Sequence, residues 1–298
     1  MDLNRDIIVI NSPINAPLCV KLADKIEKLE NKSENCSVFL TTFGGDPDEA
    51  FKIGRYLQCH YKNIRLVVAS YCKSAGTLIA ISANELIVGD HGELGPLDIQ
   101  VIRGEDNPSR NSGLDFNSAL NVAQNHVQQA YLDVLYMMIN NGASNNLATK
   151  VASQIAASIA PPLYSQIDPI RIAHMRRLIT VALEYGGRLA EKSNSITIQQ
   201  LTNLITDYPS HGFVIDREEA KKLFNKVHNL DECHEELKFY KEYRDKILTP
   251  KKEKDAIVDV FAPEKEKAND TNEMPQPSQQ EPKASRGKKS NERTTQNN

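Results

Sequence analysis

Two loops carry the residues whose types and spacing could do chemistry. The first, residues 41–46, places the glycine pair Gly44 and Gly45 between a predicted strand and a predicted helix. Backbone N–H groups that such a loop leaves exposed can converge on an anion. The loop lacks the GxGxxG pattern and the lysine of nucleotide-binding loops, which disfavours a nucleotide site. The alternative is a tight turn with no chemical role.

The second loop, residues 69–77, contains a serine in a position suited to a nucleophile. Ser74 follows a predicted strand and precedes an apolar helix of small residues. Its hydroxyl would therefore lie at the carboxyl edge of a sheet and at the positive end of a helix, where an alkoxide or oxyanion is stabilised. Ser74 could instead cap the helix, which is a common role of serine. The loop is only half of a GxSxG elbow, because Cys72 stands in place of the first glycine.

Alternating strand and helix patterns position these loops. Apolar runs predict strands at residues 7–10, 37–41, 64–68 and 86–88. Helices are predicted at residues 17–29, from Pro47 onward with Asp46 and Glu49 as a capping box, and at residues 74–83. Strands separated by helices pair in parallel. The carboxyl ends of neighbouring strands then meet, so the N–H groups of Gly45 and Ala75 would form an oxyanion hole.

The second half of the sequence is helical. Apolar residues recur at spacings of three and four over residues 116–138, and further helices are predicted at 147–159, 169–189 and 198–205. The sequence therefore predicts an α/β fold with a mostly parallel sheet and a helical second half. One small sheet cannot cover that much apolar helix surface, so we predict a homo-oligomer.

Composition separates a folded part from a tail. It changes near Thr249 and Pro250, and beyond Phe261 there is no Leu, Ile, Val or aromatic residue. Such a segment cannot bury enough apolar surface to offset its ordering entropy. We therefore predict a folded domain at residues 1–248, sheet-rich over 1–110 and helical over 111–248, followed by a disordered tail at 249–298. The basic stretch 283–289 is interpreted as part of a solvated tail.

Charge and cysteine content exclude several function classes. The net charge of −3 encodes no general attraction to nucleic acid. Neither a membrane-spanning stretch nor a signal peptide is recognised, so we expect a cytoplasmic protein with no transmembrane segment, which leaves peripheral membrane association open. The five cysteines are scattered and odd in number, which disfavours a disulfide framework. The His, Cys and Glu residues at 228–236 lack zinc-site spacing, and no metal or cofactor is predicted.

Four ordered motifs carry a resemblance to a known family. They are residues 42–47 (TFGGDP), 72–77 (CKSAGT), 93–98 (ELGPLD), and 211–215 (HGFVI) with 218–220 (EEA). With these motifs, residues 7–229 resemble the Clp-protease and crotonase superfamily, and most closely the serine dehydrogenase proteinase family, which is related to signal peptide peptidase A. The resemblance implies a core of repeated β-β-α and β-α-β units.

The resemblance also implies an activity. It implies a serine peptidase that acts on peptides or unfolded proteins through an acyl-enzyme, independent of ATP in itself. Ser74 would be the nucleophile, Asp98 the orienting carboxylate and His211 the general base, with Gly44, Gly45 and Ala75 around the oxyanion.

Other bases and other functions stay open at this point. His91 lies nearer to Ser74 in sequence than His211 does. Lys73 adjoins Ser74, but neighbours on a helix do not face each other, so we expect a solvated or substrate-facing charge. The same fold could serve a crotonase-like acyl-CoA enzyme. A catalytically inactive oligomeric scaffold, in which Ser74 is only a helix cap, is the alternative from another class.

Overall fold

A computed structural model describes residues 5–97, 100–102, 110–165 and 168–262 of the chain. The chain divides into two units, Met1–Glu264 and Lys265–Asn298, and the second lies outside the described residues. The first unit confirms the predicted α/β fold, with a mostly parallel sheet and a helical second half.

The strands and helices have the following bounds. The strands are β1 (Asp6–Asn11), β2 (Asn35–Thr41), β3 (Asn63–Val68), β4 (Tyr71–Cys72), β5 (Glu85–Val88), β6 (Glu93–Leu94), β7 (Gln100–Ile102), β8 (Arg110–Ser112), β9 (Val227–Asn229) and β10 (Ile257–Phe261). The helices are α1 (Ala16–Glu27), α2 (Pro47–His60), α3 (Ala75–Ile81), α4 (Gly113–Asn140), α5 (Asn145–Tyr164), α6 (Pro169–Ser193), α7 (Ile198–Thr206), α8 (Arg217–Leu223) and α9 (His234–Leu248).

The main sheet has six strands in the order β10-β1-β2-β3-β5-β9. The strands from β1 to β9 in this order pair in parallel, and β10 pairs antiparallel with β1. Parallel pairing follows from the helices α1, α2 and α3 that cross over between successive strands. The carboxyl ends of β2 and β3, which precede the two loops singled out in the sequence, therefore lie at the same edge.

Alternating side chains give the sheet two apolar faces. Ile8 and Ile10 of β1 belong to the larger core, which α1, α2, α3 and α6 cover. Ile7 and Val9 point to the other face, where they join Phe39 in a smaller core closed by α9. Both faces of the central strands are thus buried, as is typical of parallel sheets covered by helices.

The start of α2 follows the predicted signals with one difference. The Asp46 side chain accepts from the backbone N–H groups of Asp48 and Glu49, and Pro47 occupies the first turn. Glu49 does not complete a capping box: its carboxylate accepts from Lys52 at 2.7 Å. The Asp46 cap therefore fixes where the glycine loop ends and α2 begins.

The predicted tail boundary at 249 is wrong. Residues 257–261 form β10, which pairs with β1 in the register Ile7 to Phe261, and Val258 is 2% exposed within the larger core. The predicted division into a sheet-rich 1–110 and a helical 111–248 also needs correction, because β9 belongs to the main sheet. The remainder of the predicted tail, residues 263–298, lies outside the described residues.

Candidate active site

Ser74 precedes the first turn of α3 but does not act as a helix cap. Its side chain makes no capping hydrogen bond, and its backbone has φ 52° and ψ −117°. Positive φ is uncommon for a residue with a Cβ atom and is strained. Since the cap alternative requires an oxygen bonded to the helix N-terminus, the geometry argues against it.

The glycine loop lies directly against this serine. A methyl group built at Gly44 would lie 2.8 Å from Cβ and 3.3 Å from Oγ of Ser74, and the backbone of Gly44 has φ +109°. Only a residue without a side chain fits there. The two loops therefore lie side by side, as expected for neighbouring parallel strands.

Two backbone donors of the predicted oxyanion hole are available and one is not. The N–H of Gly44 donates to Oγ1 of Thr42 at 3.0 Å, so it is already used. Among the residues that the structure describes, neither Gly45 N–H nor Ala75 N–H donates to a protein acceptor. Gly45 is exposed, and its Cα packs so closely on the Ile14 backbone that a side chain would overlap it. Of the three predicted donors, Gly45 and Ala75 therefore remain candidates.

A small sheet beyond the main one assembles the other motifs. Thr42 bridges to β4, β4 pairs with β6, and Leu94 of β6 exchanges hydrogen bonds of 2.9 and 3.0 Å with Ile215. Consecutive strands of this sheet come from the segments of the four motifs. The segment that contains His211 therefore lies two strands away from the loop of Ser74.

His211 is half-buried, and its Nδ1 atom is inaccessible to solvent. Tyr208 and Phe213 pack against each other with ring centroids 5.1 Å apart, and the Tyr208 hydroxyl donates to Glu219 at 3.1 Å. Burial, followed by that hydrogen bond, raises the pKa of Tyr208, so the phenol remains a donor. These contacts fix the turn that presents His211.

The expectation for Lys73 is wrong: this side chain is neither solvated nor directed at a substrate. Lys73 is 8% exposed. Its ammonium lies 3.2 Å from Oε1 of Glu93, 3.1 Å from the carbonyl oxygen of Leu94 and 3.3 Å from that of Phe213. Three acceptors use its three donors, which leaves it committed to the protein.

Of the other residues considered from the sequence, the structure describes His91 and Cys72 and does not describe Asp98. His91 is exposed and lines a cavity of about 130 Å³ with Leu230 and Tyr240, on the side of α9. Asp98 lies outside the described residues, immediately after Leu97, which is buried. Burial raises the pKa of the Cys72 thiol, so Cys72 stays protonated and does not compete with Ser74 as a nucleophile.

Sequence reasoning missed several supporting side chains. Oγ1 of Thr77 donates to the Gly95 carbonyl at 2.7 Å and so ties α3 to the segment that leads toward Asp98. The rings of Phe43 and Tyr71 pack in a tilted arrangement with centroids 4.9 Å apart, and both side chains are exposed. Of these side chains, only the aromatic pair could have been recognised from the sequence, because its members are large apolar residues in two otherwise polar loops.

The described residues contain no group of three or more His, Cys, Asp or Glu side chains that could hold a metal ion. Glu236, from the cluster at 228–236, is instead buried and accepts from Ser37 at 2.8 Å and Arg65 at 3.3 Å. Within the same part of the chain, no helix has the length and apolar character needed to cross a bilayer.

Comparison with known proteins gives only distant likenesses. No protein-family model matches the chain. An uncharacterized protein of Methanocaldococcus jannaschii is 34% identical over 70 residues, which cover 24% of this chain and 24% of that protein. The chain thus spans about a quarter of the length of this curated relative.

The solved structures similar to the chain include two mutants of the 1510-N membrane-bound stomatin-specific protease. The first has 15% sequence identity and a TM-score of 0.46, and the match covers 76% of this chain and 81% of that chain. The second, in complex with a substrate peptide, has 16% identity, a TM-score of 0.44 and coverages of 74% and 72%. Neither likeness assigns the chain to a family, so the family predicted from the motifs stays a prediction.

Proposed function

We propose that the chain is a serine peptidase that hydrolyses peptide bonds through an acyl-enzyme. The observation that carries the proposal is the conformation of Ser74. This serine holds a strained backbone, makes no helix cap, and adjoins a glycine that leaves room for nothing larger beside its oxygen. Strain of this kind persists only where the surrounding structure enforces it, and it clusters at active sites.

Each group has one role in the proposed reaction. Oγ of Ser74 attacks the scissile carbonyl carbon while His211 takes the hydroxyl proton, and His211 then returns that proton to the leaving amine. Water hydrolyses the resulting ester by the same steps in reverse order. The N–H groups of Gly45 and Ala75 donate to the oxyanion. Asp98 is proposed to orient His211, which agrees with the burial of the Nδ1 atom of His211.

The surroundings of Ser74 support a peptide substrate. Phe43 is 63% exposed and Tyr71 39%, and on the side of His211 the exposed fractions are 38% for Phe213 and 51% for Val214. Apolar side chains exposed in one region mark a surface for binding. An unfolded segment can place its side chains against them while its backbone reaches the serine.

Labelling with a fluorophosphonate probe tests the proposal. The wild type should be labelled at one residue, and Ser74→Ala should abolish the labelling. Ser210→Ala is the matched control, because Ser210 is an exposed serine next to His211; this variant should be labelled like the wild type. Equal labelling of wild type and Ser74→Ala would show that Ser74 is not the nucleophile. Thermal stabilisation by coenzyme A together with no labelling would favour an acyl-CoA enzyme instead.

Self-association is part of the proposal. The helices α4 and α5 pack on each other, and several of their large apolar side chains are exposed: Val122, Tyr136, Met137 and Leu147. Exposed apolar side chains on paired helices favour burial against a second copy. Light scattering should give a mass above that of one chain, and a monomer at micromolar concentration would contradict self-association.

A further inference from the structure

The buried ammonium of Lys73 connects the loop of Ser74 to the segment that follows His211. The proposed reaction requires these two parts of the chain to lie close together. Lys73 directly precedes Ser74, and its side chain is buried. One of its acceptors, the carbonyl oxygen of Phe213, lies two residues after His211, at 3.3 Å. The other two, Glu93 and the Leu94 carbonyl, belong to β6.

The aliphatic part of the Lys73 side chain is also fixed by packing. A methyl group built at Gly95 would lie 2.8 Å from Cδ and 3.3 Å from Cα of Lys73, so the stem packs directly on the Gly95 backbone. The backbone N–H of Lys73 donates to the Thr42 carbonyl at 3.0 Å. The side chain therefore extends from the loop of Ser74 across β6 to the segment after His211.

We propose that Lys73 is a positioning residue that sets the segment of His211 against the loop of Ser74. This inference rests on the proposed function. The hydrogen bonds between Leu94 and Ile215 hold that segment four residues beyond His211, and the contact of Tyr208 with Phe213 holds its side chains. The Lys73 ammonium links the Phe213 backbone directly to the loop that carries the nucleophile.

A buried lysine is an unfavourable choice for a purely structural position. Burying an ammonium is costly unless it is paired, and an apolar side chain of similar volume often gives equal or greater stability. What an apolar side chain cannot supply is directed hydrogen bonding to three acceptors. All three donors of Lys73 are used, and one of their acceptors lies on the segment of His211, which indicates a role in positioning that segment.

The saturable rate of fluorophosphonate labelling, kinact, and the probe concentration for half-saturation, KI, test this role. Lys73→Met should lower kinact by about tenfold or more, because displacements of about 1 Å at reacting groups can lower rates by about a hundredfold. KI should stay within about twofold. Lys52→Met is the matched control: it removes an exposed lysine that pairs with Glu49 on α2 and should change neither value.

A charge-balanced variant separates the loss of positioning from the effect of leaving a carboxylate without a cationic partner. Lys73→Met leaves Glu93 without its partner, whereas Lys73→Met combined with Glu93→Gln does not. We expect the combined variant to melt close to the wild type and still to be labelled slowly. If it is labelled at the wild-type rate, only charge balance matters and the positioning role is overturned.

A double-mutant cycle with His211→Ala shows whether Lys73 acts through the histidine. In the His211→Ala background, Lys73→Met should change kinact by less than about twofold. An equal loss in both backgrounds would refute the inference while leaving the peptidase proposal intact. Absence of labelling in the wild type, or His211→Ala labelled as fast as the wild type, would overturn the proposed function and the role of Lys73 with it.

Discussion

Gly44→Ala is the substitution that tests most directly whether the glycine loop and Ser74 form one site. The new methyl group would lie 2.8 Å from Cβ of Ser74, and ordinary contact begins at 3.4 Å, so one of the two must move by about 0.6 Å. A shift of about 1 Å at a reacting atom can cost about a hundredfold in rate. We therefore expect Gly44→Ala to slow acylation of Ser74 about tenfold.

The same substitution also strains the backbone, and this second effect needs its own control. Alanine at φ +109° costs about 1–3 kcal/mol of stability. Gly142, between α4 and α5, has φ +84° and no atom within 4 Å of the position of a new methyl group. Gly142→Ala therefore carries a similar backbone strain without crowding the serine.

The measurement is the rate of fluorophosphonate labelling, with the free energy of unfolding from urea titration measured alongside. Both alanine variants should lose stability, and only Gly44→Ala should lose labelling rate. If Gly44→Ala is labelled as fast as Gly142→Ala, the contact between Gly44 and Ser74 does not govern the nucleophile, and the reasoning from the glycine loop fails.

Three other substitutions test strain, charge and burial. Ser74→Gly should melt about 2–4 °C above Ser74→Ala, because glycine relieves about 1 kcal/mol of strain at φ 52°; equal melting temperatures would deny the strain. Burial raises the pKa of Asp259, but the hydrogen bond and charge of Lys25 outweigh it, so the pKa lies below its ordinary value. The stability that this group contributes is present at neutral pH and is lost as pH falls through the folded-state pKa. Asp259→Asn should therefore cost about 0.2–1 kcal/mol at pH 7, and urea titrations should show this difference shrinking below about pH 4. Glu236→Gln removes the buried negative charge that pairs with Arg65 and should lower the free energy of unfolding by about 1–3 kcal/mol; an unchanged urea midpoint would contradict the buried ion pair.

Most elements of the first hundred residues could be predicted from the sequence because their signals are local. The strands β1, β2, β3 and β5 are apolar runs, and Asp46 and Pro47 mark the start of α2. The neighbouring positions of the Ser74 and Gly44 loops follow from parallel pairing alone. The strain at Ser74 and the use of the Gly44 N–H by Thr42 depend on dihedral angles that no pattern reports.

The features that the sequence did not predict depend on distant partners. β10 is a five-residue strand in charged surroundings, and its partner β1 lies about 250 residues earlier. β4 and β6 have two residues each, too few for a periodicity. Lys73 lies beside a serine in a polar loop, and nothing local shows that acceptors from Glu93, Leu94 and Phe213 converge on its ammonium.

The pairing of β10 with β1 has a consequence for synthesis of the chain. Ile7 is translated before its antiparallel partner Phe261, which follows about 250 residues later. At about 5–20 residues per second this interval lasts roughly 12–50 s. During it one edge of β1 presents unpaired N–H and C=O groups to other nascent chains. Once β10 pairs with β1, this edge is covered and the short strand β10 forms the edge of the sheet instead.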